Sequence, residues 1–475
     1  MPKQPDAPAS ELAEFGYKQE LNRTLSTTDL IVYGLVFMVP IAPWAIFGVV
    51  FNEAKGMVPL VYIIGLVAMI FTALSYAQMS KAFPIAGSVY SYVGRALHPV
   101  LGFFAGWTIL LDYLLVPTLL YVFAAESMSG IFPGVPKPLW IIVFLVINTA
   151  VNYVGISFTA IVNRLFLAAE LVFVVIFVIM AVVAISRGTD GAAFTTAPLF
   201  NADLFTPQLA AAALSIAVLS FLGFDGIATL SEEAKGGRRS AGIAMISGLV
   251  LVAIFFVTQT WLAAMLVPGR TEFGEDEANN AFFGLVGQIS GSGWMVAFLA
   301  MNALAVGIAN AVAAQSATSR LLFSMSRDGR LPRFLAHIDP KSKAPQRAIL
   351  LVAGLTLVLG LVFVGQIDVI STLVNFGALT SFLLLHVSVI GYYAVKRRSK
   401  NVFLHWVSPI LGFLIIGFVL YNADASAKIG GVIWLGVGAL VLLYYTRKGT
   451  GVLEEHAADP FTTAESGSSL EADRA

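Results

Sequence analysis

The chain has 475 residues, 58% of them hydrophobic and 12% charged, and no cysteine. That composition excludes a water-exposed surface, and the missing cysteine excludes disulfides, thiolate metal sites and a cysteine nucleophile. Twenty-eight Lys and Arg balance twenty-eight Asp and Glu, so no net field recruits nucleic acid and charge carries meaning only through position.

Residues 1–27 carry Lys3, Lys18 and Arg23 among acids and prolines. They lack the compact apolar core and small-residue cleavage site of a signal peptide, and read as a cytosolic tail. Apolar stretches follow at 28–50, 57–78, 98–124, 138–154, 158–186, 208–230, 241–267, 291–318, 347–364, 367–394, 404–422 and 429–446. Each is long enough to cross a bilayer with some tilt, 138–154 only marginally. The expectation is an all-α integral membrane protein of twelve transmembrane helices, embedded in lipid, with both termini on one side. Residues 449–475 are small and polar and read as a disordered tail.

Placing the amino terminus in the cytoplasm assigns 23 of the 28 basic residues to the cytoplasmic side. Only Lys55, Lys137, Arg187, Arg270 and Lys428 fall on the other. An odd error in the span count would swap sides for every later loop and destroy this split. The location expected is therefore the cell inner (plasma) membrane, with both termini cytoplasmic.

A membrane helix satisfies its own backbone, so a breaker at depth needs protein or a water-filled cavity around it. In the first stretch, Val39-Pro40-Ile41-Ala42-Pro43-Trp44 removes two amide donors three residues apart; in the sixth, Gly223 and Gly226 flank Phe224 and Asp225. Stretches one and six are five apart. Interrupted helices at matching places in two five-helix halves mark an inverted-repeat secondary transporter with its substrate site between the breaks; ordinary helix kinking is the plainer reading. This divides the chain into a ten-helix core, 28–400, with halves at about 28–190 and 205–400, followed by helices 11 and 12 in 401–448.

Ionisable residues within the apolar stretches are Asp112, Glu170, Asp225 and His386, and no Lys or Arg reads as comparably deep. Carboxylates at depth without a base attract a cation or a proton. Asp225, inside a break, is the candidate for substrate or proton contact, against a helix-stabilising role. Glu170 stands among Ala, Leu, Val, Ile and Phe and is the candidate for proton coupling, against a carboxylic acid bonded to a neighbouring helix. Asp112 and Tyr113 point about 100° apart, so one of them faces the cavity. Tyr113 is preferred, since a phenol offers a π face and a hydroxyl to an ammonium. His386 reads as a packing residue. Tyr33, Trp44, Tyr113 and Phe224 are the aromatics near the breaks, and Ala42 and Gly223 bring backbone groups to the same place.

Three stretches resemble the amino acid-polyamine-organocation permeases. They are Ala82-Phe83-Pro84-Ile85-Ala86-Gly87-Ser88-Val89-Tyr90 with Gly102-Phe103 and Gly106-Trp107; Gly223-Phe224-Asp225 with Ser231-Glu232-Glu233; and Ser319-Arg320 through Ser326-Arg327-Asp328-Gly329-Arg330-Leu331-Pro332 to Pro345. Within that family, Leu110-Leu111-Asp112-Tyr113 and Phe221 to Glu233 are most similar to bacterial putrescine importers. The resemblance implies the LeuT-type 5+5 inverted repeat with helices 1 and 6 broken, alternating access, and import driven by an ion gradient, usually of protons. It implies Tyr113 as a contact of a diamine, and Glu232, Glu233 and Arg238 as a cytoplasmic gate, which would otherwise be a solvated loop cluster.

Amino-acid carriers of this family usually hold the substrate carboxylate on a glycine-rich turn in the first helix. Here that turn is Pro40 to Trp44, and proline has no N–H to offer. This favours a cation without a carboxylate, although polyamine carriers are expected to place an acid near the turn, where this chain has Ala45 and Ile46.

The function expected is secondary active import, proton-coupled, of a small organic cation such as putrescine or a related amine. Amino-acid import is the alternative within the same class. An enzyme would need ligands or a nucleophile at depth, but His98, His337, His386, His405 and His456 are scattered and no His-Glu-x-x-His or Gly-x-Ser-x-Gly run occurs. A channel would need a continuous polar lining or a filter loop. The partners implied are the substrate, a proton and the bilayer, with no cofactor, no metal and no nucleic acid.

Overall fold

The computed structural model describes residues 23–447 together with Phe15, Glu20 and Leu21. The tail expected at 449–475 lies outside the described residues, as does most of the one expected at 1–27.

Ser26 opens the first helix with a reciprocal capping box: its hydroxyl accepts from the Asp29 amide at 3.2 Å, and its own amide donates to the Asp29 carboxylate at 3.0 Å. The helix that follows, α1 (Thr27–Met38), ends at Val39, and α2 (Pro43–Glu53) starts on the far side of the Pro40 turn, bent by 54°. Pro43 sits at the start of α2, where the missing amide leaves no internal bond unmade. Then come α3 (Val58–Ala82), α4 (Ser88–Ala96), α5 (Pro99–Ile131), α6 (Lys137–Val154) and α7 (Ile156–Arg187). The second half begins with α8 (Pro207–Ala217), which gives way to a 3-10 turn over Val218–Phe221 and, past Gly223, a 3-10 segment over Phe224–Glu233. After it follow α9 (Ser240–Met265), α10 (Glu275–Ala278), α11 (Ala281–Ser290) and α12 (Ser292–Leu304). A π-helical stretch joins α12 to α13 (Ala311–Arg327), and α14 (Gln346–Val362), α15 (Ile367–Val389), α16 (Ser408–Asn422) and α17 (Ala425–Arg447) complete the bundle.

The protein is all-α: among the described residues there is no strand, only a single parallel bridge between Leu25 and Ala234. Each expected apolar stretch coincides with a helix or a broken helix. Among the described residues ten helices are long and apolar enough to cross a membrane, eleven if α1 and α2 count as one span. The twelfth depends on α14, whose 17 residues stand at the low end of spanning length. Two buried elements were not expected: α4, between the second and third stretches, and α11.

Long α5 is the axis of the bundle, 89% buried over its most apolar window, against 17% for α17 at the periphery. The side of α7 bearing Ile161, Leu165, Val172, Val175 and Ile179 is exposed and apolar, a surface only lipid satisfies. At 100° per residue Glu170 points the other way, into the bundle, and it is fully buried. His386 on α15 is a packing residue: its ring nitrogens lie 2.9 Å from Ser75 Oγ and 3.3 Å from Thr72 Oγ1 on α3, and a Cβ at Gly412 of α16 would fall 2.2 Å from the ring.

Candidate functional site

Both expected breaks are present, and they meet. Gly223 adopts φ +114°, and a Cβ there or at Gly226 would lie 2.8 and 2.4 Å from the Phe37 ring, which ends α1. One turn earlier on α1, Gly34 makes room for Ile227 in the same way, at 2.4 Å. Small residues at these three places let the halves of two broken helices lie against one another at the centre of the bundle.

Asp225 is held inside this junction. Its Oδ2 accepts a 2.7 Å hydrogen bond from the Tyr113 phenol of α5, and its Oδ1 accepts from the Gly223 amide at 3.3 Å. The carboxylate is fully buried, and among the described residues no cationic side chain pairs with it. Tyr113 is fixed from the other side by Thr318, whose hydroxyl donates to the Tyr113 carbonyl at 2.6 Å. Phe224 meets Tyr76 and Phe382 edge to face and tilted, at 5.7 and 5.9 Å. Tyr76 was missed in the sequence, where nothing distinguishes it from other aromatics of α3.

The first break is repaired rather than left open. Within the turn, the Ala42 and Trp44 amides donate to Val39 and Ile41. Gln259 of α9 donates its side-chain amide to the Pro40 carbonyl at 2.9 Å and accepts the Trp44 indole N–H at 2.6 Å. Trp44 is stacked on Phe282 at 5.0 Å and packed on Phe298, so both its ring and its donor are engaged in scaffold contacts. The Tyr33 hydroxyl likewise donates to the Ala313 carbonyl at 2.7 Å, tying α1 to α13. Of the four aromatics singled out in the sequence, Tyr113 is the one bonded to Asp225.

Asp112 and Glu170 are buried too, and neither Oδ1 of Asp112 nor either carboxyl oxygen of Glu170 has a hydrogen-bond partner among the described residues. Buried oxygens without partners are costly.

On the side of the bundle where Leu25 lies, the second broken helix is sealed. Glu233 forms a buried ion pair with Arg320 of α13, and Glu232 pairs with Arg327 at 2.7 and 3.1 Å while accepting from the Ala86 amide at 2.9 Å. Leu25 pairs its backbone with the same segment, its amide donating to the Glu233 carbonyl at 3.0 Å and its carbonyl accepting from Lys235 at 2.8 Å. Arg320 and Arg327 both belong to α13, and Arg238 stands in a short 3-10 turn, Gly237–Arg239. α13 continues past the end of the apolar stretch expected at 291–318, and Arg320 on it is 3% exposed.

The opposite side is open. A cavity of about 1260 Å³ descends between α2, α5, α8, α12 and α15, with Glu53, Glu126 and Asp424 toward its rim and Ala45, Ile46 and Leu219 beside the two breaks. A closed side and an open side, with a buried carboxylate between, are the parts an alternating-access carrier needs.

The profile of the family described as "Amino acid permease" matches residues 24–436. The "Low-affinity putrescine importer PlaP" of Escherichia coli (strain K12) is 29% identical over 434 residues, 90% of this chain and 94% of that protein. The "Branched-chain amino acid permease BcaP" of Bacillus subtilis (strain 168) is 25% identical over 459 residues, covering 91% and 94%. The "Methylthioribose transporter" of the same organism is 26% identical over 475 residues, covering 93% and 97%.

Proposed function

The chain belongs to the amino acid permease family, and from that premise we propose that it is a proton-coupled importer of a small organic cation, putrescine or a related amine. Family membership makes it a multi-pass membrane transporter of a small molecule; the substrate and the driving ion are our reading. Asp225 is the observation that carries it. A fully buried carboxylate held by one phenol and the backbone amides of its own turn, with no base beside it among the described residues, is completed by an ammonium. Leaving a buried charge unpaired costs about 3–5 kcal/mol, which is the incentive for the substrate to supply the missing partner. The Tyr113 ring adds a π face for the attached alkylammonium.

The similarity to a putrescine importer supports this reading, but relatives with other substrates also match, at 25% and 26% identity, so the argument rests on the site. An α-amino acid brings a carboxylate that needs amide donors. In the first break Pro40 and Pro43 have none and those of Ala42 and Trp44 already donate within the turn, which leaves the amides of Ile41 and Ala45 for such a group. Amino-acid import is therefore the second reading.

We assign the Leu25 side to the cytoplasm, on the distribution of basic residues, and the cavity to the exterior. Glu232–Arg327 and Glu233–Arg320 then close the inner gate of an outward-facing carrier, and the halves at about 28–190 and 205–400 move against one another when it opens. Helices 11 and 12 stand outside that exchange. Glu170, buried and unpartnered, is the group whose protonation biases which face opens. The test is uptake of labelled putrescine by proteoliposomes with an imposed inward proton gradient, in competition with ornithine, spermidine, lysine and neutral amino acids. Accumulation that an uncoupler collapses and amines displace is the expected result. Displacement by neutral amino acids alone would overturn the substrate, and accumulation that survives the uncoupler would overturn the coupling.

A further inference from the structure

Pro117 stands inside α5, one turn beyond Tyr113. In an α-helix the carbonyl of residue 113 accepts from the amide of residue 117, and proline has no amide hydrogen to give. The tyrosine of the central site therefore carries, on its own backbone, the carbonyl that this proline deprives of its helical donor. Tyr113, Val116 and Pro117 are all buried, so bulk water does not take the donor's place.

Thr318 of α13 takes it instead. Its hydroxyl lies 2.6 Å from the Tyr113 carbonyl, and the residue is fully buried. A helical threonine that turns its hydroxyl back onto the carbonyl four residues earlier, here Ala314 at 2.8 Å, does no more than pack. One proton serves the two acceptors, and the one on α5 is nearer. A second helix meets the same stretch of backbone: Gly377 of α15 comes so close that a Cβ would stand 2.7 Å from the Thr108 carbonyl and 2.9 Å from the Asp112 amide nitrogen. The backbone of Tyr113 is thus fastened at its carbonyl, next to the point where α15 packs against α5.

What the fastening controls is the aim of the phenol. Helices bend most readily at a proline, and beyond Pro117 the same helix runs on through Phe123, Glu126 and Ser127, which line the open cavity. A change in the course of that outer part turns the Tyr113 ring unless the backbone below the proline is held. The hydroxyl stands at the far end of the ring, so a small rotation is enough to spoil its 2.7 Å contact with Asp225.

We propose that Thr318 is a positioning residue for substrate binding: by donating to the carbonyl that Pro117 leaves without its helical amide, it holds the Tyr113 phenol against Asp225. The proposal rests on the amine reading of the central site and adds to it the residue that sets its geometry.

The concentration dependence of labelled putrescine uptake, in proteoliposomes of the full-length chain, tests it. Thr318→Val keeps the shape and removes the hydroxyl; it should raise half-saturation about fivefold, less than deleting the phenol does, with maximal rate and pH profile close to wild type. Thr318→Ser keeps a hydroxyl and should recover most of the affinity. In a Pro117→Ala background, where the amide of residue 117 bonds the carbonyl, Thr318→Val should cost nothing further. In Tyr113→Phe, which has no phenol to aim, it should again cost nothing. Each comparison is made within its own background, so an effect of Pro117→Ala alone does not disturb it. Unchanged half-saturation in Thr318→Val, while Tyr113→Phe weakens binding, would overturn the inference and leave the central reading intact. The same fivefold loss in either background, or no recovery in Thr318→Ser, would overturn it too, because the threonine would then act by packing. Half-saturation unmoved by Tyr113→Phe would sink the central reading and this inference with it. Should Thr318→Val reach the membrane poorly, Thr318→Ala takes its place in every comparison.

Discussion

The Tyr113 phenol points its proton at Asp225 Oδ2 across 2.7 Å, joining a helix of the first half to the broken helix of the second. A hydrogen bond to a charged acceptor is worth about 1.5–3 kcal/mol, so the two partners are not equivalent when removed. Tyr113→Phe leaves the charge and should raise the half-saturation concentration for putrescine about tenfold or more. Asp225→Asn removes what the ammonium pairs with and should reduce uptake to background while the protein still reaches the membrane. Saturable uptake by Asp225→Asn, with quantity checked by immunoblot, would take the residue out of the substrate site.

Glu170 is the one acid of α7 turned into the bundle, opposite the lipid-facing stripe of Leu165, Val172 and Ile179. If proton binding there biases the open face, Glu170→Gln fixes the group in its neutral form. Uptake should then lose its dependence on external pH, the ratio of rates at acid and neutral pH falling to about one, while substrate exchange without a gradient persists. A variant whose pH profile matches the wild type would return Glu170 to packing.

The twelve apolar stretches and both breaks were legible because hydropathy and Pro/Gly placement are local signals. Elements α4 and α11 were not, since nine and ten residues are too short to register as spans and their burial comes from helices far away in sequence. The two ion pairs were likewise invisible: Glu233 and Arg320 are 87 positions apart, and Glu232 and Arg327 are 95. Gln259 shows the same limit. A glutamine in an apolar helix is a visible anomaly, yet that its target would be the Pro40 carbonyl follows only from the approach of α9 to the first break. Position along the helix singles out Trp44 and Tyr33, but that their polar atoms bond Gln259 and Ala313 depends on the approach of α9 and α13.

Opening the gate separately from transport is feasible because the chain has no cysteine, so a single introduced thiol reports alone. Ser231, beside the pair Glu232–Glu233, is 9% exposed. Removing one member of a buried ion pair costs about 3–5 kcal/mol, enough to shift a two-state gate by two or more orders of magnitude. In Glu233→Gln, a thiol at Ser231→Cys should therefore react with a membrane-impermeant maleimide in inside-out vesicles at least about tenfold faster than with the pair intact. Exchanging the charges, Glu233→Arg with Arg320→Glu, should slow it again. Equal labelling in all three would show that the pair holds the fold and not the gate.

Gly223 combines two constraints that no other residue type meets. Its φ of +114° is disfavoured for any side chain, at about 1–3 kcal/mol, and the Cβ of an alanine would stand 2.8 Å from the Phe37 ring. Since the Gly223 amide also donates to Asp225 Oδ1, a shift of this backbone displaces the carboxylate from Tyr113. Gly223→Ala should therefore lose most uptake, and thermal stability should fall with it. Adding Phe37→Leu relieves the contact and leaves the dihedral strain, so the double variant should recover stability in part and uptake less. Full recovery of uptake in the double variant would mean that steric contact alone, and not the left-handed backbone, sets the position of Asp225.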